Sequence, residues 1–278
     1  MLPLVLSTLV DNLGRKISGA PIQWVRSTPS NTDLEHIQKE GAESQFDPLK
    51  LRATLLKGNP TVFCRDLYIK NKHLARVLVV CEKGSTPIIP WLLYSRIFQA
   101  FGVCTISKEP WRVVLFAASA SRLFPEPGVK PEHEHLNGGY AYPGVPSSVV
   151  IYRQEESYRV LIHELLHACG SDNMNNSEWK RESFTETWAE LFLIAILAKG
   201  SKAKAQRLWE IQSQWIADQE FILTQEHGVT SPDDYAYRYT IGRRDVLKGL
   251  GLPLPPPSQN PKGNLMGSLR FTSPMLYS

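Results

Sequence analysis

The spacing of apolar residues changes near residue 155 and divides the chain into a strand-rich part and a helical part. Before that point, short runs rich in valine and aromatic residues predict buried strands. A helix with proline at its start is also predicted, over 90–100. The predicted strands span 61–68, 76–81, 111–117 and 147–152. This pattern predicts an α+β fold whose N-terminal part is α/β with a mixed sheet and whose C-terminal part is helical.

Helical spacing dominates the second part of the chain. The predicted helices span 155–169, 177–198, 202–225 and 233–245. We therefore expect four parts: an N-terminal packing segment (1–60), an α/β lobe (61–170), a helical lobe (171–250) and a proline-rich tail (251–278). Residues 1–10 are apolar but lack a basic flank and a clear cleavage pattern, so a packing segment is our interpretation and a signal peptide is the alternative.

Five consecutive residues late in the first of these helices, His163-Glu-Leu-Leu-His167, have the spacing of a metal site. Positions i and i+4 share a helix face, so the two imidazoles can converge on one ion. Glu164 lies beside that face, where its carboxylate could take a proton from a metal-bound water. A hydrolytic zinc site of this kind uses three protein ligands and keeps one position for water. Glu186, after eighteen intervening residues, is the candidate third ligand.

The next helix carries two different stripes. One stripe is apolar and predicts the side that faces the core; it consists of Phe184, Trp188, Leu191, Phe192 and Ala195. The other consists of Glu182, Glu186 and Glu190, each four residues apart. A carboxylate stripe is ordinarily a solvated face. Because this helix follows one with two histidines at metal-binding spacing, we favour a ligand role for Glu186.

The string HELLH at 163–167, followed by the glutamate at 186, resembles the gluzincin group of zinc metallopeptidases, in which a second helix supplies the glutamate ligand. The resemblance implies a zincin-like fold, one zinc ion held by His163, His167 and Glu186, and Glu164 as the catalytic base. It also implies Glu190 as a supporting carboxylate, since an acceptor there could take the distal N–H of a ligating imidazole. The stretch 182–190 is similar to uncharacterised zincin-like proteins of viruses.

A glycine-rich segment shortly before the histidine helix is the candidate substrate strand. It comprises Gly138, Gly139, Tyr140, Ala141 and Tyr142. In the zincins that this chain resembles, an edge strand at this place lines the cleft and pairs with extended substrate. Glycines allow close backbone approach, and an unpaired edge offers N–H and C=O groups to a peptide. An ordinary tight turn is the alternative.

Hydrolysis at a zinc site also gains from a donor to the oxyanion that forms on the attacked carbonyl. Enzymes of the group that the chain resembles often recruit a tyrosine or histidine from beyond the glutamate helix. Tyr239, Tyr235 and His227 are the candidates in this sequence. A packing role is the alternative for each tyrosine.

Composition restricts the partners. The formal charge of +4 is small for 278 residues, so no nucleic-acid partner is expected. No apolar run reaches the roughly twenty residues of a membrane span. The four cysteines show no CxxC pair, which favours buried free thiols and a reducing compartment, such as the cytoplasm of a host cell or a virion, over secretion. The tail after residue 251 could wrap over the domain, dock on a partner or be mobile, and its apolar residues favour docking.

These observations together predict a zinc-dependent hydrolase, most directly a metallopeptidase that acts on a peptide or protein substrate. Two alternatives stay open. In one, the zincin-like scaffold is a structural or binding module, for example in a viral particle, and zinc serves mainly as a structural staple. In the other, the activated water attacks a non-peptide amide or ester.

Overall fold

The structure of the protein, a computed structural model, describes residues 2–17, 19, 22–104, 108–171 and 175–277. The helices and strands follow one another as α1 (Leu4–Ile17), β1 (Ile22–Ser27), α2 (Asn31–Glu40), α3 (Leu51–Lys57), β2 (Thr61–Ile69), β3 (Lys72–Cys81), α4 (Trp91–Phe101), β4 (Trp111–Phe116), α5 (His133–Leu136), β5 (Gly139–Tyr140), β6 (Val149–Ile151), α6 (Ser157–Ala168), α7 (Glu178–Ala198), α8 (Lys202–Gln225), the 3₁₀ helix η1 (Tyr235–Tyr239), α9 (Arg243–Gly249), α10 (Pro261–Leu265) and the 3₁₀ helix η2 (Pro274–Tyr277).

The chain forms two compact units, each assembled from separate stretches of sequence. The sheet unit consists of Ile17–Ser121 and Asn137–Ser171, and the helical unit consists of Met1–Lys16, Arg122–Leu136 and Asp172–Ser278. One border between the two units lies near residue 171. Within the N-terminal 60 residues, most of α1 belongs to the helical unit, and β1, α2 and α3 belong to the sheet unit.

The sheet unit is built on a six-stranded mixed sheet with the order β1-β2-β3-β4-β6-β5. Strand β4 is parallel to β3 and β6, and the remaining pairs are antiparallel. The strands predicted from the sequence correspond to β2, β3, β4 and β6, whereas β1 was not predicted. All six side chains of β1 are exposed or half-buried, and its apolar residues Ile22, Trp24 and Val25 do not form a continuous run.

The central strands are buried on both faces. On one face, Leu78, Val114 and Val150 share a core with Ile37 of α2 and Leu55 of α3. The alternate residues of the same strands are also buried, as expected for parallel strands covered by helices on both sides. Helix α6 packs against β5 and β6, and α4 packs against α6. The histidine helix is therefore held directly on the sheet.

The helical unit centres on α7 and α8, and the C-terminal tail belongs to it. Both α10 and η2 pack on α8, and Leu265, Leu269 and Phe271 are buried. The indole of Trp215 donates to the carbonyl of Arg270 at 2.8 Å. Of the three arrangements considered for the tail, the structure has the one in which it wraps onto its own unit.

The prediction of one helix over 233–245 is wrong. The structure has two separate helices in this region, η1 and α9. Before η1, the carboxylate of Asp234 accepts hydrogen bonds from the backbone N–H groups of Thr230 and Ser231 and fixes a turn. After η1, Thr240 has a non-helical backbone at φ −128° and ψ −83°. The turn residues and this break separate the two helices. In the part of the chain that the structure describes, none of the helices has the length and apolarity to span a bilayer.

Candidate metal centre

Helix α6 brings the two histidines of the HELLH string together. The Nε2 atoms of His163 and His167 are 2.9 Å apart, and their rings meet edge to face at a centroid distance of 4.6 Å. Both residues are buried, with 7% and 8% of their surface exposed. The i, i+4 spacing therefore produces the convergence that the sequence predicted.

The donor set fits a zinc ion. Two imidazole nitrogens bound to zinc at tetrahedral angles lie about 3.3 Å apart, given Zn–N bonds of about 2.0–2.1 Å. The observed separation of 2.9 Å is slightly shorter and is also the distance of a hydrogen bond between the two rings. Imidazole nitrogen is a common zinc ligand, and two histidines with one glutamate form one of the known hydrolytic zinc sets.

Glu164 lies between the two histidines in sequence and is also buried. Its side chain is close to the backbone of β5, because a Cβ atom added to Gly139 would be only 3.2 Å from Glu164 Oε1. The same Cβ would be 2.6 Å from Val160 Cγ1 and 2.7 Å from the carbonyl oxygen of Val150. Only glycine allows β5 to lie this close to α6. This close approach explains why residue 139 is a glycine.

The segment predicted as a substrate strand contains both an edge strand and a turn. Within it, Gly139 and Tyr140 form β5, which is the last strand of the sheet and pairs with β6. Gly138 accepts a hydrogen bond from the backbone N–H of Tyr152 at 2.8 Å. Beyond Ala141, the chain turns where Ser148 Oγ accepts from the N–H of Tyr142 at 2.8 Å. The segment thus combines a short edge strand with a turn.

Helix α7 buries its carboxylates and exposes part of its aromatic stripe. Glu186 and Glu190 are buried, and Glu182 is half-buried. Phe184 is 44% exposed, and Trp188 and Phe192 are half-buried, so the predicted core stripe is wrong for these three aromatic residues. Leu191 and Ala195 of that stripe are buried as predicted. The physical reason is that α7 packs against α8, η1 and α9 at once, so no single apolar face defines its interior.

Two of the oxyanion candidates are on η1, which packs on α7. The hydroxyl oxygens of Tyr235 and Tyr239 are 3.2 Å apart. Burial, followed by the nearby carboxylate of Glu182, raises the pKa of Tyr239 well above its usual range. Tyr239 therefore stays protonated and can donate a hydrogen bond across the pH range in which the protein would work.

The third oxyanion candidate has a different environment. His227 is buried, stacks on Phe124 at a centroid distance of 5.2 Å and has Nδ1 2.8 Å from the carbonyl oxygen of Val129. These contacts attach the end of α8 to the loop at residue 129. The structure thus places His227 in the packing of the helical unit.

Some residues that the structure places near the candidate strand were not found from the sequence. Glu40 and Arg52 both contact the side chain of Tyr140. No spacing rule relates residues 40 and 52 to residue 140, so only the folded sheet unit shows this cluster.

The candidate ligands and base are distributed over both units: the two histidines and Glu164 are in the sheet unit, and the three glutamates of the carboxylate stripe are in the helical unit. Comparison of the chain with protein-family models, with curated proteins and with solved structures gave no match. The chemistry of these residues is therefore the basis for any statement about function.

Proposed function

We propose that the protein is a zinc-dependent hydrolase with a zincin-like fold, and most directly a metallopeptidase of gluzincin type. The observation that carries this proposal is the pair of buried imidazoles whose Nε2 atoms are 2.9 Å apart on α6. Glu164 lies on the same helix, in contact distance of an edge strand. The candidate ligand pair, the candidate base and the edge of β5 are thus all parts of one unit.

His163 and His167 would supply two nitrogen ligands. We assign the third ligand to Glu186, because it is buried on α7 and has the spacing that the gluzincin resemblance implies. Glu182, one turn earlier on the same stripe, is the competing carboxylate. Glu190, one turn later and also buried, would support an imidazole by accepting its distal N–H.

When bound, a zinc ion would lower the pKa of its water toward about 7 and polarise the attacked carbonyl. Glu164 takes one proton from the attacking water as the water oxygen bonds to the carbonyl carbon. Glu164 then gives this proton to the amine nitrogen as the C–N bond breaks. The products are a carboxylic acid and an amine, and the base returns to its starting state.

The edge strand and η1 would orient the substrate. An extended peptide can add to the outer edge of β5 by main-chain hydrogen bonds, and Gly139, which has no side chain, brings that strand close to Glu164. Tyr239 is our first choice for the donor to the oxyanion, with Tyr235 beside it. Such a donor contributes on the order of 100-fold or more to the rate.

The test uses the full chain, stripped of metal and reloaded with one equivalent of zinc, against a mixed peptide library. We expect cleavage that stops with chelator and returns with zinc. Glu164→Gln should keep stoichiometric zinc and lose about 100-fold to 10,000-fold in rate, while His163→Ala should lose the metal. Glu35→Gln, an exposed glutamate on α2, is the control and should leave both properties unchanged.

A second function is favoured by one specific observation, namely the burial of His163, Glu164 and His167. A closed site would hold zinc as a structural staple in a binding module. In that case the protein binds zinc and melts earlier with chelator, yet cleaves no peptide, amide or ester. Cleavage of esters and amides without peptides would assign the non-peptide reaction, and cleavage that chelator leaves undiminished would overturn the zinc mechanism altogether.

A further inference from the structure

Strand β5 pairs with β6 through only two residues, Gly139 and Tyr140. So short a pair is weak by itself. The close approach of Gly139 to Val160 and Glu164 nevertheless requires an accurately placed strand. Contacts other than the sheet hydrogen bonds must therefore hold this strand.

The side chain of Tyr140 has these contacts. Its hydroxyl donates to Glu40 Oε2 at 2.5 Å and accepts from Arg52 Nη1 at 2.6 Å. The guanidinium of Arg52 lies over the Tyr140 ring at 5.1 Å and over the Tyr152 ring at 5.5 Å. Burial, reinforced by the hydrogen bond to Glu40, raises the pKa of Tyr140, so its hydroxyl keeps the proton that it donates.

Arg52 is itself firmly placed. Only 2% of its surface is exposed. Its remaining donors reach Asp47 Oδ2 at 3.2 Å, the carbonyl oxygen of Glu40 at 2.5 Å and Ser44 Oγ at 2.7 Å. Burying charged groups is costly, and well-packed apolar residues often replace them without loss of stability. Such a network is therefore better explained by the position in which it holds Arg52 and Tyr140 than by a gain in stability alone.

The start of the segment has a matching anchor. Arg153 Nε donates to the carbonyl oxygen of Asn137 at 2.7 Å, and the Asn137 side chain donates to the carbonyl oxygen of Phe46 at 3.2 Å. Buried arginines thus hold both ends of the segment 137–140. The edge strand is fixed in place before any substrate arrives.

We propose that Glu40 and Arg52 are positioning residues that hold Tyr140, and with it the edge of β5, in the geometry that an extended peptide substrate needs. This inference rests on the proposed peptidase function. A preformed edge lowers the ordering cost of binding. Loss of the tether should therefore weaken the binding of long substrates and leave the chemical step intact.

Two variants remove the tether in different ways. Tyr140→Phe deletes only the hydroxyl, and Glu40→Ala deletes its acceptor. In the zinc-loaded full chain we expect amide hydrogen exchange of residues 138–142 to become about tenfold faster in both, since one charged hydrogen bond is lost. Glu40→Gln keeps an acceptor and should restore slow exchange. Tyr277→Phe, the same change at an exposed tyrosine of the helical unit, is the control and should have no effect.

Kinetics separate positioning from mere stability. For a long peptide, KM should rise about tenfold in Tyr140→Phe with kcat unchanged. For a dipeptide amide, too short to pair along β5, kcat/KM should not change. Unchanged exchange in both tether variants, or equal losses for long and short substrates that follow the melting temperature, would overturn the positioning role. Failure of the wild-type protein to cleave any peptide would instead overturn the proposed function, and the exchange data would still decide whether the tether holds the strand.

Discussion

The two helices of the candidate centre relate their sequences to their surroundings in different ways. Helix α6 lies on the sheet and beside α4, and all its residues from Arg159 to Ala168 are buried, including the polar His163, Glu164 and His167. Helix α7 has three helical neighbours, and its buried positions include Glu186 and Glu190 while Phe184 is exposed. Burial thus follows the packing partners of each helix, the sheet and α4 for α6 and three helices for α7, and apolar periodicity alone does not identify the buried positions of either helix.

The largest expected effect tests whether the buried glutamate or its half-buried neighbour serves the metal. Glu186→Gln should lower zinc affinity by at least about 100-fold, because it removes a charged ligand. Glu182→Gln should lower it less than about tenfold. Competition with a chromophoric chelator measures both. The opposite order would assign the ligand to Glu182 and would make burial on α7 a poor guide to function.

Stability measurements test which apolar side chains of α7 are buried. Leu193→Ala should cost about 2–5 kcal/mol, because Leu193 is fully buried. Phe184→Ala should cost less than about 1 kcal/mol despite the larger side chain, because much of its ring is exposed. Urea denaturation followed by circular dichroism gives both values. Equal costs would contradict the different burial of the two positions.

The fit of β5 against α6 gives a smaller effect. Gly139→Ala should cost about 1–3 kcal/mol, because the added methyl group would overlap Val160 and the carbonyl of Val150. Gly249→Ala is the control, since a Cβ there meets nothing within 4 Å. We expect the control to match the wild type or to exceed its stability by up to about 1 kcal/mol. If Gly139→Ala left the free energy of unfolding unchanged, β5 and α6 would be able to move apart without loss of stability.

The smallest effect concerns pH and the ion network that attaches α2 to the sheet. Burial alone would raise the pKa of Asp33, but hydrogen bonds from Arg76 and Ser30 outweigh it and hold the pKa at about 2. Because this lies below the ordinary value of 3.8, the contribution of Asp33 is complete above about pH 4 and is lost as pH falls toward 2.

We expect a loss of about 1–2 kcal/mol in unfolding free energy from this group between pH 4 and pH 2, after allowance for screening. Denaturation of the wild type and of Asp33→Asn at several pH values measures it. The variant should show a flatter dependence in this window. Parallel curves would exclude Asp33 as the source of the acid sensitivity.

Much of this structure could be predicted from local sequence. Valine-rich runs gave four strands, and the HELLH spacing gave the convergence of two imidazoles, because both depend on residues that are neighbours in sequence. Strand β1 was not predicted, because it lies at the sheet edge with no buried side chain and its three apolar residues do not form a continuous run. The contact of Tyr140 with Glu40 and Arg52 joins residues about a hundred positions apart, and no local pattern encodes it.

The C-terminal tail has a consequence for how the chain is made. The backbone N–H of Leu269 donates to the carbonyl of Arg122, and that of Phe124 donates to the carbonyl of Gly267. The sheet unit has all its residues once position 171 has emerged from the ribosome, whereas the helical unit waits for this last stretch. At translation speeds of about 5–20 residues per second, the interval is on the order of five to twenty seconds. During biosynthesis, the unit with the histidines can therefore fold well before the unit with the glutamates has its final segment.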